Sequence, residues 1–397
     1  MNVGASRRSL LWGSVVGAVG AGALAAASAA GADATPTRPG RAEDAQSPAT
    51  AVARRFRGAR QAGVVEQPPA YAAFVALDLP VTATSDTLRR IFTVWTQDIE
   101  RLVVGRPGLA DLEPELAAVS ASLTVTVGVG RRVADLAGAT APEWLAPLPG
   151  YRIDRLEDRW SGGDLLLQVC AASPTTVAHA VRRLTTAVAS LATVRWIQRG
   201  FREPFEGPGV PMRNLLGQVD GTIQPALDGP DDALIWADDG PAWLQGGTGM
   251  VVRRIAMALD TWDAVDRRGR EQAIGRRLSD GAPLTAPEGA SAQTPPDLLA
   301  TTGSGFTVID RAAHVRRAQP AAPQERFLRR PYSYDDEGSG LLFVAFAADV
   351  LRQFHPVQQR LADLDLLNLW TTPVGSAVFA VLPGAREGEI LGQALVT

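Results

Sequence analysis

An internal repeat constrains this chain more than any other feature. Residues 165–173 (LLLQVCAAS) and 341–349 (LLFVAFAAD) match in length and apolar character, and each runs straight into a helix-patterned segment. The elements around the two copies also correspond. In the first half, residues 71–79 read as a strand, and Ser85 caps a helix whose Leu88, Ile91, Phe92, Trp95, Ile99 and Leu102 fall at helical spacing. A strand at 123–127, a short helix near Val133, a strand at 165–171, a helix after Pro174 and a strand at 194–199 follow. The second half reads as a strand at 250–259, a helix over 263–278, a long loop, strands at 327–334 and 341–347, a helix over 349–364 and a strand at 377–382. With the short helix counted as part of a connection, the order in each half is β-α-β-β-α-β, the ferredoxin-like unit. The expectation is an α+β protein with two duplicated ferredoxin-like domains and antiparallel sheets, the N-terminal one over residues 67–205 and the C-terminal one over 206–397.

Two segments precede the repeat. In residues 1–34, Ser6-Arg7-Arg8-Ser9-Leu10-Leu11 leads an apolar Gly/Ala-rich stretch ending in the A-x-A site Ala32-Asp33-Ala34, which resembles a twin-arginine signal peptide. Its weak hydrophobicity favours export over anchoring in the bilayer, so the expected location is periplasmic, extracellular or in the cell envelope. Export by this route carries folded proteins, often with a cofactor already inserted. Residues 35–66 are rich in Pro, Ala, Arg and Gly without periodicity and read as a flexible linker.

Composition removes several chemistries. The chain has no lysine, which excludes Schiff-base catalysis and a P-loop. Its one cysteine, Cys170, lies in an apolar run, so disulfides within the chain, cysteine-rich metal sites and Cys-x-x-Cys-His haem attachment are excluded. A net charge of −3 carries no nucleic-acid footprint. His179, His314 and His355 are the only imidazoles. At the register of the repeat His179 aligns with His355, and both read as helix-face residues.

Against that background Asp220 stands out. It is the only charged residue between Asn214 and Leu227, and Gly217 and Gly221 bracket it as Gly-x-x-Asp-Gly, a pattern suited to backbone lying close to a flat ligand. An Asp-Gly pair alone is an ordinary turn signal. The whole stretch 212–222 (MRNLLGQVDGT) resembles the signature of the dye-decolourising haem peroxidases. Two further stretches carry the same resemblance: residues 313–320 (AHVRRAQP), similar to that family's proximal-histidine segment, and residues 328–334 (LRRPYSY), similar to its distal-arginine block. Val315, Gln319 and Pro331 depart from the commonest forms. The resemblance runs from about Ala70 to the C-terminus.

The resemblance implies a dimeric α+β barrel type of fold with one non-covalent haem b per chain in the C-terminal half. His314 is then the iron ligand, and Gly221, Thr222, Ile223, Gln319, Pro320, Ala321 and Arg329 lie against the cofactor. It implies hydrogen peroxide and a small-molecule or surface-bound one-electron donor as substrates. Asp220 moves a proton between the peroxide oxygens and Arg329 stabilises charge. An ordinary aspartate, with a pKa of about 3.9, stays ionised at low pH. Arg330 is expected to point away from Arg329, since neighbouring strand residues face opposite sides. The alternative is an exported haem-binding, iron-acquisition protein that releases iron from haem, which needs His314 but not Asp220. A barrel binding some other apolar ligand is a third reading. Iron-uptake partners and a homodimer both stay open at this point.

Overall fold

The computed structural model describes residues 55–203, 212–220, 224–227 and 229–397. The expected signal at 1–34, the linker up to residue 54, and Gly221, Thr222 and Ile223 lie outside them. No helix among the described residues is long and apolar enough to cross a membrane.

Among the described residues, nine strands form one antiparallel sheet: β1 (Tyr71–Asp78), β2 (Thr124–Val129), β3 (Leu165–Ala171), β4 (Thr193–Phe201), β5 (Thr248–Met257), β6 (Leu328–Arg329), β7 (Tyr332–Asp335), β8 (Ser339–Ala347) and β9 (Thr371–Val381). The first half is ordered β2-β3-β1-β4. The second follows the same plan, with β7 and β6 beside β8, then β5, then β9. The halves join twice in the same sense, the fourth strand of one pairing with the second strand of the other. Phe201 pairs with Ser333, and Gly128 and Val129 pair with Val381 and Ala380. Because β8 also pairs with β5, the ring closes. The two ferredoxin-like sheets are therefore joined edge to edge into a barrel, not stacked face to face. Closure pairs backbone edges that two separate sheets would leave open.

Strand periodicity divides the core. Phe74, Leu166, Met250, Val252, Leu342, Val344, Phe346 and Phe379 gather inside the barrel. Their neighbours Val75, Leu77, Leu165, Leu167 and Val251 face the outer helices. Helix Ser85–Leu102 buries Leu88, Ile91, Phe92, Trp95, Ile99 and Leu102, the stripe expected from sequence. Fully burying each of its large apolar side chains is worth about 1.5–3 kcal/mol. Its cap is Thr84, one residue earlier than expected. The Thr84 hydroxyl accepts from the Thr87 amide while Thr87 returns a bond to the Thr84 amide. The repeat recurs at the level of caps, since Ser173 and Asp349, its last residues, begin helices Pro174–Ala187 and Val350–Leu364 with their side chains on Thr176 N and Arg352 N.

Three sequence expectations change. The helix placed over 263–278 is two short ones, Leu259–Asp263 and Arg267–Ile274. Asp266 caps the second through Gly269 N, and Gly275 ends it at φ +88°. The strand placed over 327–334 is split into β6 and β7, which nevertheless share one register on β8. Arg330 N still donates to Val344 O, and the gap falls at Pro331, which has no N–H to give. Finally, residues 55–66, read as the end of a linker, are docked. The Gln61 side chain bridges Val127 and Leu382, and Arg57 holds Glu100. Contacts made by single polar side chains leave no periodic trace.

Candidate active site

Asp220 is delivered by a tight reversal. Arg213 and Val219 form an isolated bridge, Asp220 N donates to Met212 O at 2.7 Å, and Asn214 Oδ1 accepts from Leu216 N and Gln218 N inside the turn. Gly217, at φ +77°, is required by the turn itself, and no protein atom lies within reach of where its Cβ would be. Two tethers fix the turn. Trp262 Nε1 donates to Leu216 O, and the Arg213 guanidinium donates to the carbonyls of Leu278 and Ser279.

His314 opens the short helix His314–Arg317. Arg316 staples the preceding loop through the carbonyls of Leu298 and Ile309, and Gln319 closes the helix onto Val315 O. His314 Nδ1 lies 2.5 Å from Asp365 Oδ2, a carboxylate whose side chain is only 4% exposed. Burial alone would lower the imidazole pKa, but the charge and hydrogen bond of Asp365, with help from Asp220, outweigh it and raise the value. When Nδ1 carries the proton toward Asp365, the Nε2 lone pair is left for a ligand.

Arg329 and Arg330 part company. Arg329 lines the same cavity as Asp220 and His314, and burial lowers its pKa while Asp220 partly restores it. Its backbone is clamped by Gln224, whose amide accepts from Arg329 N at 3.0 Å and donates to Arg329 O at 2.9 Å. Arg330 turns into the barrel, 2% exposed, where it donates to Glu66 O and lies beside Cys170 and Tyr332.

The cavity counts about 1160 Å³ of space unfilled by protein atoms, its mouth included. Ile274, Phe327, Phe343, Val357, Leu361 and Leu367 supply apolar wall, and Arg276, Arg326 and Arg329 supply cations. Gln319 and Pro320 also line it. Ala321 is exposed and absent from the lining, its amide turned to Glu325. The other histidines lie elsewhere: His179 is buried 3.1 Å from Asp111, and His355 Nδ1 meets the Tyr151 hydroxyl at 2.9 Å.

Comparison with known proteins matches residues 61–202 to the family described as Dyp-type peroxidase, N-terminal, and residues 211–386 to Dyp-type peroxidase, C-terminal. The chain belongs to the Dyp-type peroxidase family. This peroxidase is 42% identical over 366 residues to the dye-decolorizing peroxidase of Thermobifida fusca, covering 85% of this chain and 84% of that one. It is 31% identical over 376 residues to a deferrochelatase of Escherichia coli, covering 86% of each. The crystal structure of a DyP-type peroxidase from Cellulomonas bogoriensis superimposes with a TM-score of 0.84 at 53% identity, covering 88% of this chain and 99% of that one. The chain is a haem-dependent peroxidase, with hydrogen peroxide and an electron donor as its substrates.

The cavity of this peroxidase fits haem on its own terms. A held imidazole offers one nitrogen to iron, apolar walls suit a porphyrin, and arginines suit the acidic edge of the group. Asp365, Gln224 and Arg276 were not found from sequence. Asp365 lies 51 residues beyond His314 in a leucine-rich stretch with no motif of its own. Gln224 and Arg276 act through backbone carbonyls and amides, which leave no pattern in a sequence.

Proposed function

We propose that this peroxidase cleaves hydrogen peroxide with Asp220 as the proton-transferring group and Arg329 as the charge-stabilising one, on a haem held by His314. The observation carrying this reading is that all three side chains line one cavity while Asp365 holds His314 Nδ1. Bound at His314, haem supplies an iron that peroxide oxidises and that one-electron donors then return to its resting state. Peroxide is a poor electrophile until the departing oxygen is protonated. Asp220, as carboxylate, accepts the proton of the inner oxygen and gives it to the outer one, so that water leaves instead of hydroxide. A guanidinium keeps its proton in proteins, and the fixed charge of Arg329 lowers the cost of negative charge building on the leaving oxygen. Gln224 keeps that charge in place by fixing the Arg329 backbone at both its amide and its carbonyl.

The pair Arg7-Arg8, the apolar stretch and the A-x-A site support export by the twin-arginine machinery to the periplasm, envelope or exterior. The similarity to the Escherichia coli deferrochelatase supports a second reading, haem binding with release of iron. Asp220→Asn separates the two, since it preserves side-chain shape and removes the base. Stopped-flow reaction with peroxide slows if Asp220 moves the proton; an unchanged rate with haem in place would leave Asp220 a turn residue and favour the second reading.

A further inference from the structure

Asp365 has a second neighbour besides His314. It forms part of the wall of a surface groove of about 420 Å³, together with Arg152, Arg155, Leu364, Leu366 and Leu369. The groove shares no lining residue with the haem cavity. Its size falls in the range of small-molecule clefts, roughly 300–1000 Å³.

The two arginines are exposed yet oriented. Arg152 donates to Asp363 O, and Arg155 donates to Asp154 O at 2.7 Å and Arg152 O at 3.4 Å. These partners are carbonyls, so they fix the guanidiniums without neutralising them. The nearby carboxylates are engaged elsewhere: Asp154 with Arg253, Asp363 with Gln359 and Asp365 with His314. Two positive charges without an ion-pair partner among the described residues thus stand beside leucines that are themselves unusually open, Leu364 at 48% and Leu369 at 69% exposed. An anionic group on the arginines and a flat ring on the leucines would satisfy both.

We propose that this groove binds a phenolic aryl carboxylate as an electron donor for the peroxidase reaction, a site separate from the haem cavity. The proposal rests on the peroxidase activity above. Its wall explains the placement, because the Asp365 side chain ends 2.5 Å from the Nδ1 of His314 and Leu366 N bonds Ala312 O two residues before that histidine. A donor seated there is separated from the iron ligand by one carboxylate. Each phenol gives one electron to the oxidised centre and releases its hydroxyl proton to water at the open groove, leaving a phenoxyl radical. One peroxide and two phenols thus yield two waters and two phenoxyl radicals.

The test uses haem-loaded enzyme, with 4-hydroxycinnamate as the anionic probe and guaiacol as a small neutral donor. Equilibrium dialysis without peroxide gives Kd for 4-hydroxycinnamate, and steady-state assays give KM and kcat for both donors. In Arg152→Glu/Arg155→Glu, Kd and KM for 4-hydroxycinnamate are expected to rise about tenfold or more, with guaiacol kinetics little changed. Arg152→Lys/Arg155→Lys keeps the charge and should retain most of the affinity. An unchanged Kd in the charge-reversed enzyme overturns the proposal, and so does a weakened Kd with unchanged 4-hydroxycinnamate turnover. A parallel loss with guaiacol overturns it as well, because the arginines would then serve the haem site. Guaiacol turnover by the unaltered enzyme reports on the peroxidase reading independently.

Discussion

His314 Nδ1 and Asp365 Oδ2 stand 2.5 Å apart, joining the start of one short helix to a residue just past the end of helix Val350–Leu364. The pair fixes which imidazole nitrogen is available and aims it into the cavity. Carboxylate partners of metal-bound histidines typically matter by about 10- to 100-fold in affinity. Asp365→Ala is expected to weaken haem binding by that order, measured by titrating haem into the apoprotein. Affinity equal to that of the unaltered protein would show that the cavity walls alone hold the group.

His314→Ala is expected to lose most of its haem, read from the Soret band per protein. His179→Ala and His355→Ala are expected to keep it, because their rings are occupied by Asp111 and Tyr151 away from the cavity. A full histidine-type spectrum in the His314 variant would exclude that residue as ligand.

Asp220→Asn is expected to retain haem and to slow the reaction with peroxide by on the order of 10²- to 10⁴-fold, the usual worth of a positioned proton-transfer group. The comparison is made by stopped flow at matched haem content.

The two arginines of β6 and its continuation are expected to separate cleanly. Arg329→Ala removes a fixed cation from the cavity and should cost on the order of 2–4 kcal/mol in the peroxide step, roughly a hundredfold or more. Arg330→Ala should leave that rate nearly intact and instead lower thermal stability, because it empties buried space inside the barrel and strands the Glu66 carbonyl. A large catalytic loss for Arg330→Ala with normal stability would reverse the assignment.

Asp231 gives a pH signature. Its carboxylate accepts from Ala226 N and pairs with Arg326 at the cavity wall, and these two contacts hold its pKa below the ordinary value. The unfolded chain therefore binds the Asp231 proton at higher pH than the folded one does. The stabilisation is complete above the ordinary aspartate value of about 3.9 and is lost as pH falls through the lower folded value. The difference in melting temperature between the unaltered protein and Asp231→Asn should accordingly shrink in that acidic window. A difference that stays constant there would exclude the ionised carboxylate as its source.

The sequence by itself determined most of the regular elements and the positions of the candidate site motifs. The repeat at 165–173 and 341–349 encodes equivalent strands and caps because strand alternation and capping depend on residues a few positions apart. The motifs around Asp220, His314 and Arg329 were legible for the same reason, as contiguous runs. The opposite orientation of Arg329 and Arg330 also follows from adjacency on one strand, although which face held the cavity did not. Tertiary structure decided what depends on distant segments meeting. The barrel closes through one residue pair at Phe201 and two at Gly128 and Val129, too few to impose a pattern on the sequence. Asp365 reaches His314 across 51 residues, and Gln224 reaches Arg329 across 105. Such contacts come from the packing of whole elements, and a single polar side chain carries no periodic signal of the partner it will meet.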